Sequence, residues 1–365
     1  MRILRVAQKL YPDTKGGGQY HVHAMSRDQA EMGHDVTVLT TKEGPDLPSV
    51  EETCGYTVVR LSPGVTIAGN DISPAVARYL WGIDGEEFDV IHAHSHLYFS
   101  TNLAALKRRL GDVPLAITNH GLYSQSATER VFDAYLRTLG RWTFEQADVV
   151  FCYTETDKRR VRDLGVRSRI EVVPNGIDTQ RFTPDGPKSD LIESESLVVL
   201  FVGRLVKGKR PEDAIRAVAR LQEQHPEINL YLCGDGPLRG TLEELVAKLG
   251  ISESVYFLGH VPYDEMPRVY RSGDVLVLPS RAEGLPRTVL EAMASGVPAV
   301  CSQLDQLREL VDGRGELVDI KSTEAFARSV NNWLETDEVP TSVAGVQEWE
   351  TTVEQTTSQL RSLVH

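Results

Sequence analysis

The strongest constraint on the fold is a repeated alternation of short β-branched segments with longer stretches of helical periodicity. The first series predicts helices at 19–32, 97–110 and 129–146. The strands predicted between and around them lie at 3–7, 36–40, 58–61, 90–94, 115–118, 149–153 and 170–173. This alternation is typical of βαβ units, which form a parallel sheet with helices on its faces.

A second series of the same kind begins after residue 196. Its predicted strands lie at 197–202, 229–233, 255–258, 275–278 and 297–301. The preceding segment, 183–195, loses apolar periodicity and is rich in Pro, Gly, Ser and acidic residues, as an exposed interdomain connection is.

The length of 365 residues also favours more than one hydrophobic core. We therefore expect two doubly wound α/β domains, 1–183 and 184–340, and a helix in 341–365 that can pack back on the first domain. Open sheets of this kind bind ligands at the carboxyl ends of their strands, so we expect a cleft between the two domains.

Composition excludes several classes of protein. A net charge of −13 argues against a general nucleic-acid partner, which needs a basic face. No segment approaches the ~18 apolar residues of a membrane span, and the apolar segment 3–7 is too short for a signal peptide. The four cysteines are far apart, as in a reduced chain, so we expect a cytoplasmic protein. They are Cys54, Cys152, Cys233 and Cys301.

Three consecutive glycines, Gly16 to Gly18, follow the first predicted strand and lead into a helix. Backbone N–H groups there could face a phosphate without obstruction by a Cβ atom, although a flexible loop is the plainer interpretation. The sequence lacks G-x-G-x-x-G and an acidic residue about 20 positions later, which disfavours a dinucleotide oxidoreductase.

Histidines mark the ends of two predicted strands in the first half. His92, His94 and His96 would share one face if the strand continued, which is an arrangement that metal ligands can adopt, but no carboxylate or cysteine accompanies them. A polar lining role is the simpler interpretation. His120 precedes Gly121, and a tight turn there would present His120 to the cleft or pack it inside.

Cations follow the first strand of the second series. Arg204 and Lys209 lie between this strand and a helix predicted to begin at Pro211. Cations at this edge of a sheet would stabilise a departing diphosphate, whereas Lys207 and Arg210 beside them suggest a solvated basic loop as the alternative.

Two carboxylates, Glu283 and Glu291, follow the strand that ends at Leu278. Glu283 lies in a turn shaped by Gly284 and Pro286, and Glu291 lies about one turn into the next predicted helix. Carboxylates accept hydrogen bonds from vicinal hydroxyls such as those of a sugar or ribose, although either residue alone could be a helix cap or surface charge. The pair favours a binding function.

Together these motifs resemble the retaining glycosyltransferase family 4, which has the GT-B fold of two Rossmann-like domains facing a central cleft. Glu283 and Glu291 match its E-x7-E signature. The other motifs occur in the same order as in the family and extend over almost the whole chain. They are the Gly-rich loop, Asp-Val-Ile-His-Ala-His, Thr-x-His-Gly, Val-Pro-Asn-Gly-Ile-Asp, Gly-Arg-Leu-x3-Lys and Gly-Asp-Gly-Pro. Leu304 to Gln306 depart from the pattern, standing where a Gly-Gly pair is usual.

The resemblance implies a hexosyltransferase-type enzyme that binds a nucleotide diphosphate sugar mainly in the second domain and an acceptor mainly in the first. The diphosphate would contact Arg204 and Lys209, the donor sugar Glu283, and the ribose Glu291. The remaining implied site residues line the donor or the acceptor. They are Gly284 and Leu285 for the donor, Gly17 and Gly18 for its phosphates and the acceptor, His120 for the sugar, and His94 for the acceptor.

The implied reaction retains anomeric configuration through front-face attack, with a leaving phosphate oxygen helping to deprotonate the acceptor. The sequence contains no Asp-x-Asp, so we expect no metal or other cofactor, since Arg204 and Lys209 can stabilise the charge instead. A nucleotide-sugar epimerase of the same architecture is the main alternative. A non-catalytic glycan-binding protein is disfavoured by the intact charged residues.

A basic run from Lys158 to Arg169 stands out in this acidic chain. A solvated helix face is its simplest explanation. The alternative is peripheral contact with anionic lipid at the inner face of the plasma membrane, where a lipid-linked acceptor would be reached.

Overall fold

In the computed structural model, which describes residues 1–67, 69–123, 129–193, 196–336 and 346–364, the chain forms two compact units. The first unit comprises Met1–Asn175 and Glu350–His365, and the second comprises Gly176–Trp349. The chain therefore passes from one unit to the other twice, at Asn175 and Gly176 and again at Trp349 and Glu350.

The first unit is built on an eight-stranded sheet with the order β10-β9-β8-β7-β1-β2-β4-β3. All neighbours in it are parallel except β3 and β4. In the described part of the unit the strands, of which β5 and β6 form a separate hairpin, are β1 Arg2–Val6, β2 Asp35–Thr41, β3 Val50–Thr53, β4 Tyr56–Leu61, β5 Val65–Ile67, β6 Asn70–Ile72, β7 Val90–His94, β8 Leu115–Thr118, β9 Val149–Cys152 and β10 Arg169–Val172.

Helices cover this sheet, and α4 and α5 are joined by a π-helical turn at Leu136–Gly140. The helices of the first unit before the crossing are α1 Gly17–Glu31, α2 Pro74–Gly82, α3 Phe99–Leu110, α4 Glu129–Tyr135, α5 Arg141–Glu145 and α6 Glu155–Asp163. Strands β7, β8 and β9 are buried along their whole length, which explains why they read as continuous apolar segments.

The second unit contains a six-stranded parallel sheet with the order β13-β12-β11-β14-β15-β16. Its strands are β11 Leu197–Val202, β12 Ile228–Cys233, β13 Val255–Gly259, β14 Val275–Leu278, β15 Ala299–Ser302 and β16 Gly315–Val318. Its α-helices are α7 Pro211–Leu221, α8 Arg239–Leu249, α9 Met266–Arg271, α10 Arg287–Ala294, α11 Arg308–Val311 and α12 Thr323–Leu334, and α13 Trp349–Arg361 begins at the second crossing.

Both sheets reverse their strand order at one place, between β1 and β7 in the first unit and between β11 and β14 in the second. At such a switch point the following helices diverge to opposite faces and leave a crevice at the carboxyl ends of the strands. The prediction of two doubly wound α/β domains is confirmed.

The structure divides the chain earlier than the segment 183–195 suggested. Phe182 and Ile192 are buried in the core of the second unit. The backbone of Ser189 donates to Ser272 Oγ at 2.8 Å, and Pro187 O accepts from Arg271 Nε at 2.9 Å. The described part of this polar segment is therefore a loop of the second unit, anchored by the buried Ile192 and by these hydrogen bonds.

The C-terminal helix α13 contributes to the first unit. Gln29 Nε2 donates to Thr357 Oγ1 at 2.8 Å, and Thr352 Oγ1 donates to Pro174 O at 2.9 Å. Residues 337–345, which include the start of the predicted C-terminal segment, lie outside the described residues. None of the helices in the described ranges has both the length and the apolar character needed to cross a bilayer.

Candidate functional site

The switch point of the second unit brings Lys209 and Glu283 together. Lys209 lies in the loop after β11 and Glu283 in the loop after β14, the adjacent strand. Lys209 Nζ is 2.5 Å from Glu283 Oε1, and the two side chains are only 14% and 4% exposed. Arg281 N also donates to Gly208 O at 2.8 Å, which ties the two loops together. At this degree of burial each charge needs the opposite charge beside it, since either one alone would be poorly solvated.

The loop that departs from the family pattern supports Glu283. Gln306 is buried, and its side-chain amide donates a hydrogen bond to the backbone oxygen of Glu283. In the sequence, Gln306 is notable only as a departure from the family pattern. Its contact with Glu283 had no sequence signal, because the two residues lie on different loops.

Glu291 is almost completely buried on α10 and has hydrogen-bond donors on both carboxylate oxygens. Tyr263 donates to Oε1 and Tyr270 to Oε2, each at 3.0 Å, and Arg287 Nε lies 3.4 Å from Oε1. The i,i+4 spacing of Arg287 and Glu291 on one helix could have identified the arginine. The tyrosines come from a different segment, and the sequence analysis missed both.

The other residues predicted to line the donor occupy the same two loops. Gly284 is buried, Leu285 packs against the core of the unit, and Arg204 is exposed. The Gly-Asp-Gly-Pro segment after β12 packs on the backbone beside Arg204, where Leu205 N donates to Asp235 O at 2.9 Å.

In the first unit, the glycines after β1 form the start of α1 and not only a loop. The helix begins at Gly17, so Gly17 and Gly18 both lie in its first turn. A Cβ atom on Gly18 would be 3.7 Å from His120 Nδ1. The structure therefore places Gly18 directly beside His120.

His94 and His120 form a hydrogen-bonded chain with Tyr153. His94 Nδ1 and His120 Nε2 are 3.0 Å apart, and Tyr153 Oη and His120 Nδ1 are 2.9 Å apart. His21, which the sequence analysis did not single out, packs edge-on against His120. These contacts join β7, β8, β9 and α1 at the switch point of the first sheet.

The three histidines at alternate positions do not share one face. Strand β7 ends at His94, and Ser95 adopts a positive φ of 65°. His96 consequently leaves the face of His92 and His94 and packs against Phe144, with ring centroids 4.8 Å apart. Across the described ranges no group of three or more His, Cys, Asp or Glu side chains is arranged to hold a metal ion.

Burial determines the charge state of these imidazoles. Desolvation lowers the pKa of His120 to about 4 and that of His96 to about 3. Burial also lowers the pKa of His94 and of His92 well below the usual value, and the buried Arg5 guanidinium lowers both further. At neutral pH these residues are uncharged, so they act as hydrogen-bond donors and acceptors and not as cations.

Two open, largely parallel sheets, each with polar loops at its switch point, match the GT-B fold of glycosyltransferases, and comparison with known proteins identifies the family. Residues 15–181 match the model of Glycosyltransferase Family 4, and residues 184–344 match that of Glycosyl transferases group 1. The chain belongs to the glycosyltransferases of group 1 and family 4, as the motifs predicted, and it is an enzyme of that class.

Relatives and solved structures resemble the chain along most of its length. D-inositol 3-phosphate glycosyltransferase of Geodermatophilus obscurus is 31% identical over 383 residues, covering 93% of this chain and 83% of the relative. Sucrose-phosphate synthase of Thermosynechococcus elongatus superposes with a TM-score of 0.83 at 22% identity, and the superposition covers 99% of this chain and 98% of the synthase chain. HepE of Anabaena in complex with UDP-glucose superposes with a TM-score of 0.78 at 21% identity, and the superposition covers 99% of this chain and 100% of the HepE chain.

Proposed function

We propose that this enzyme transfers a sugar from a nucleotide diphosphate sugar to an acceptor hydroxyl with retention of anomeric configuration. The observation that carries the proposal is the buried Lys209–Glu283 pair at the switch point of the second sheet. The complex of the structurally similar HepE with UDP-glucose supports a nucleotide sugar as the donor class.

The donor side of the reaction is assigned to the second unit. Lys209 and Arg204 stabilise the negative charge that develops on the departing diphosphate. Glu283 accepts hydrogen bonds from donor sugar hydroxyls, and Glu291 accepts them from the ribose. The backbone at Gly284 and Leu285 lines the donor between these carboxylates.

The acceptor side is assigned to the first unit. Gly17 and Gly18 let the substrate approach the start of α1, and the neutral His94 and His120 orient hydroxyl groups by hydrogen bonding. The acceptor hydroxyl attacks the anomeric carbon on the face from which the diphosphate leaves. A leaving phosphate oxygen takes the proton, so the bond to the acceptor forms as the bond to the phosphate breaks.

Positive charge from Lys209 and Arg204 takes the place that a divalent cation has in other diphosphate chemistry, so we propose that no metal is required. We also propose that the exposed arginines in and after α6 make peripheral contact with anionic lipid, because they are concentrated in one short segment of an acidic protein. They are Arg159, Arg162, Arg167 and Arg169.

An assay of the purified enzyme against a panel of nucleotide sugars and hydroxylated acceptors, including UDP-glucose and D-inositol 3-phosphate, tests the proposal. We expect nucleotide release that depends on the acceptor, persists in EDTA, and yields a product with the donor's anomeric configuration by NMR. Conversion of the donor without an acceptor would instead indicate a nucleotide-sugar epimerase.

The variants Glu283→Ala and Lys209→Ala should each lower the transfer rate by a factor on the order of 10² or more, because both side chains stabilise charge or fix orientation in the transition state. Lys207→Ala is the matched control, since Lys207 is an exposed lysine of the same loop. Circular dichroism and thermal melting would establish that all three variants fold. Near wild-type turnover in folded Glu283→Ala or Lys209→Ala would refute the assignment.

A further inference from the structure

We infer that Tyr263, Tyr270 and Arg287 are positioning residues that preset Glu291 to accept a pair of vicinal hydroxyls, and so make the enzyme selective for ribonucleotides over 2′-deoxyribonucleotides. These three residues are called the Glu291 clamp below. The inference rests on the proposed function, which places a nucleotide at Glu291.

The clamp uses one acceptor position on each oxygen of the carboxylate. Tyr263 donates to Oε1 and Tyr270 donates to Oε2, both at 3.0 Å. An ionised carboxylate offers about four acceptor positions, two on each oxygen. Arg287 Nε lies 3.4 Å from Oε1, which is an ion-pair contact and not one of these two hydrogen bonds. The hydrogen bonds from the tyrosines therefore leave one position on each oxygen, which matches the two hydroxyls of a vicinal diol.

Arg287 fixes the direction of the hydrogen bond from Tyr263. Its Nη2 donates to the Tyr263 hydroxyl oxygen at 2.8 Å. Because that hydroxyl carries a single hydrogen and its oxygen accepts from Arg287, the hydrogen points to Glu291. The tyrosine is thereby held as a donor to the carboxylate.

Tyr270 is a permanent donor as well. Its side chain is completely buried and packs edge-on against Phe182, with ring centroids 5.9 Å apart. Burial first, and then the neighbouring Glu291, raise the pKa of Tyr270 well above its usual value. The hydroxyl therefore keeps its hydrogen throughout the pH range in which the protein functions.

The clamp is anchored where the chain enters and leaves the second unit. Arg287 Nη1 donates to Gly176 O at 3.0 Å, and its guanidinium carbon lies 5.4 Å from the centre of the Trp349 ring. Gly176 and Trp349 are the first and last residues of that unit. With Arg287 fixed at these points and only 7% exposed, the carboxylate has little freedom to rotate.

Calorimetric titration with a nucleoside diphosphate and its 2′-deoxy counterpart tests the clamp. The probe is whichever of UDP, GDP or ADP the wild-type protein binds most tightly, and the measured quantity is the ratio of the two dissociation constants. Tyr270→Phe should weaken ribonucleotide binding by on the order of tenfold and reduce this ratio, because one charge-assisted hydrogen bond that orients Glu291 is lost. Glu291→Gln should reduce the ratio at least as far.

Tyr231→Phe is the matched control. Tyr231 is a buried tyrosine of the same core, and its hydroxyl accepts from the backbone of Glu193. We expect this variant to keep the wild-type ratio. Tyr263→Phe provides a second, partly buried position should Tyr270→Phe not fold.

The two proposals fail in different ways. If Tyr270→Phe and Tyr263→Phe leave the ratio of the two dissociation constants unchanged, whether or not binding of both nucleotides weakens, the clamp is overturned. Sugar transfer by the wild-type enzyme would not be affected by that result. A wild-type protein that binds none of the three nucleoside diphosphates and transfers no sugar would overturn the proposed function and the clamp with it.

Discussion

At the scale of single residues, the buried histidine His96 in the first unit makes the stability of the protein depend on pH. His96 is completely buried, and desolvation lowers its pKa to about 3. In the unfolded chain a histidine has a pKa of about 6.5. Between these two values the unfolded state binds a proton that the native state does not, so the free energy of unfolding falls as the pH falls.

Replacing His96 by Leu should therefore flatten the pH dependence of stability. The slope between pH 6 and pH 4 should decrease by up to about 1.4 kcal/mol per pH unit relative to wild type, because one source of differential proton uptake is removed. Urea unfolding at pH 8, 6, 5 and 4 measures the effect, and the pH 8 series serves as the control because His96 is neutral there in both states. Parallel stability curves for the two proteins would contradict the prediction.

The sequence predicted candidate site residues by their position in the chain, but it did not predict their hydrogen-bond partners. Lys209, Glu283, His94 and His120 were predicted because each follows or ends a strand at the ligand-binding edge of a sheet. Their partners were not, because hydrogen bonds such as Gln306 to Glu283 and Tyr153 to His120 join separate strand-end segments. No local pattern encodes such pairs.

At the scale of elements, the loops that follow β11 and β12 in the second unit approach each other closely. Gly234 follows β12 with a φ of 146°, and a Cβ atom there would lie 2.0 Å from the backbone oxygen of Gly203. From the sequence, Gly-Asp-Gly-Pro is recognised only as one motif of the family resemblance. The structure adds that its first glycine lets the loop approach the backbone next to Arg204.

Gly234→Ala should destabilise the protein by about 2 to 4 kcal/mol, because the new methyl group meets an immobile backbone oxygen and the φ value is unfavourable for alanine. Gly240→Ala is the matched control, since Gly240 lies in α8 and a Cβ atom there meets nothing within 4 Å. The control should be stabilised by up to about 1 kcal/mol. Denaturant unfolding of both variants measures the difference, and equal stabilities would argue against the close approach.

Elements with a buried face were predicted well, and exposed ones were not. All twelve predicted strands occur with boundaries shifted by a few residues at most, because burial produces strong apolar segments. The hairpin of β5 and β6 and the edge strands β3 and β16 were missed. Strand β5 is exposed at every residue and β16 is buried at only one, so neither shows a clear apolar pattern.

At the scale of the whole molecule, charge is distributed unevenly. The chain carries a net charge of −13, yet Arg159, Arg162 and Arg167 are exposed near one another along the sequence. Arg169 is also exposed but is engaged with Glu171 at 2.8 Å, so it contributes less to a basic surface. The proposed attraction to anionic lipid would therefore depend mainly on Arg159, Arg162 and Arg167.

Sedimentation with lipid vesicles should show binding to anionic but not to neutral vesicles, and added salt should weaken it by screening. Replacing Arg159, Arg162 and Arg167 together by Glu should abolish the binding. The control replaces three other exposed arginines, Arg216, Arg220 and Arg328, by Glu and so changes the net charge equally. Equal recovery of wild-type protein with both kinds of vesicle would refute membrane contact.

The sequence by itself determined the two doubly wound α/β units, the family, and the strand ends at which charged and imidazole side chains occur. These follow from periodicity and from short motifs, both of which are local. Only the tertiary structure decided where the chain divides, that His96 turns away from His94, and which groups hold Glu283 and Glu291. Lys209 and Glu283 are 74 positions apart, and such pairs form only when burial brings distant segments together and the energetic penalty of leaving a buried charge uncompensated selects its partner.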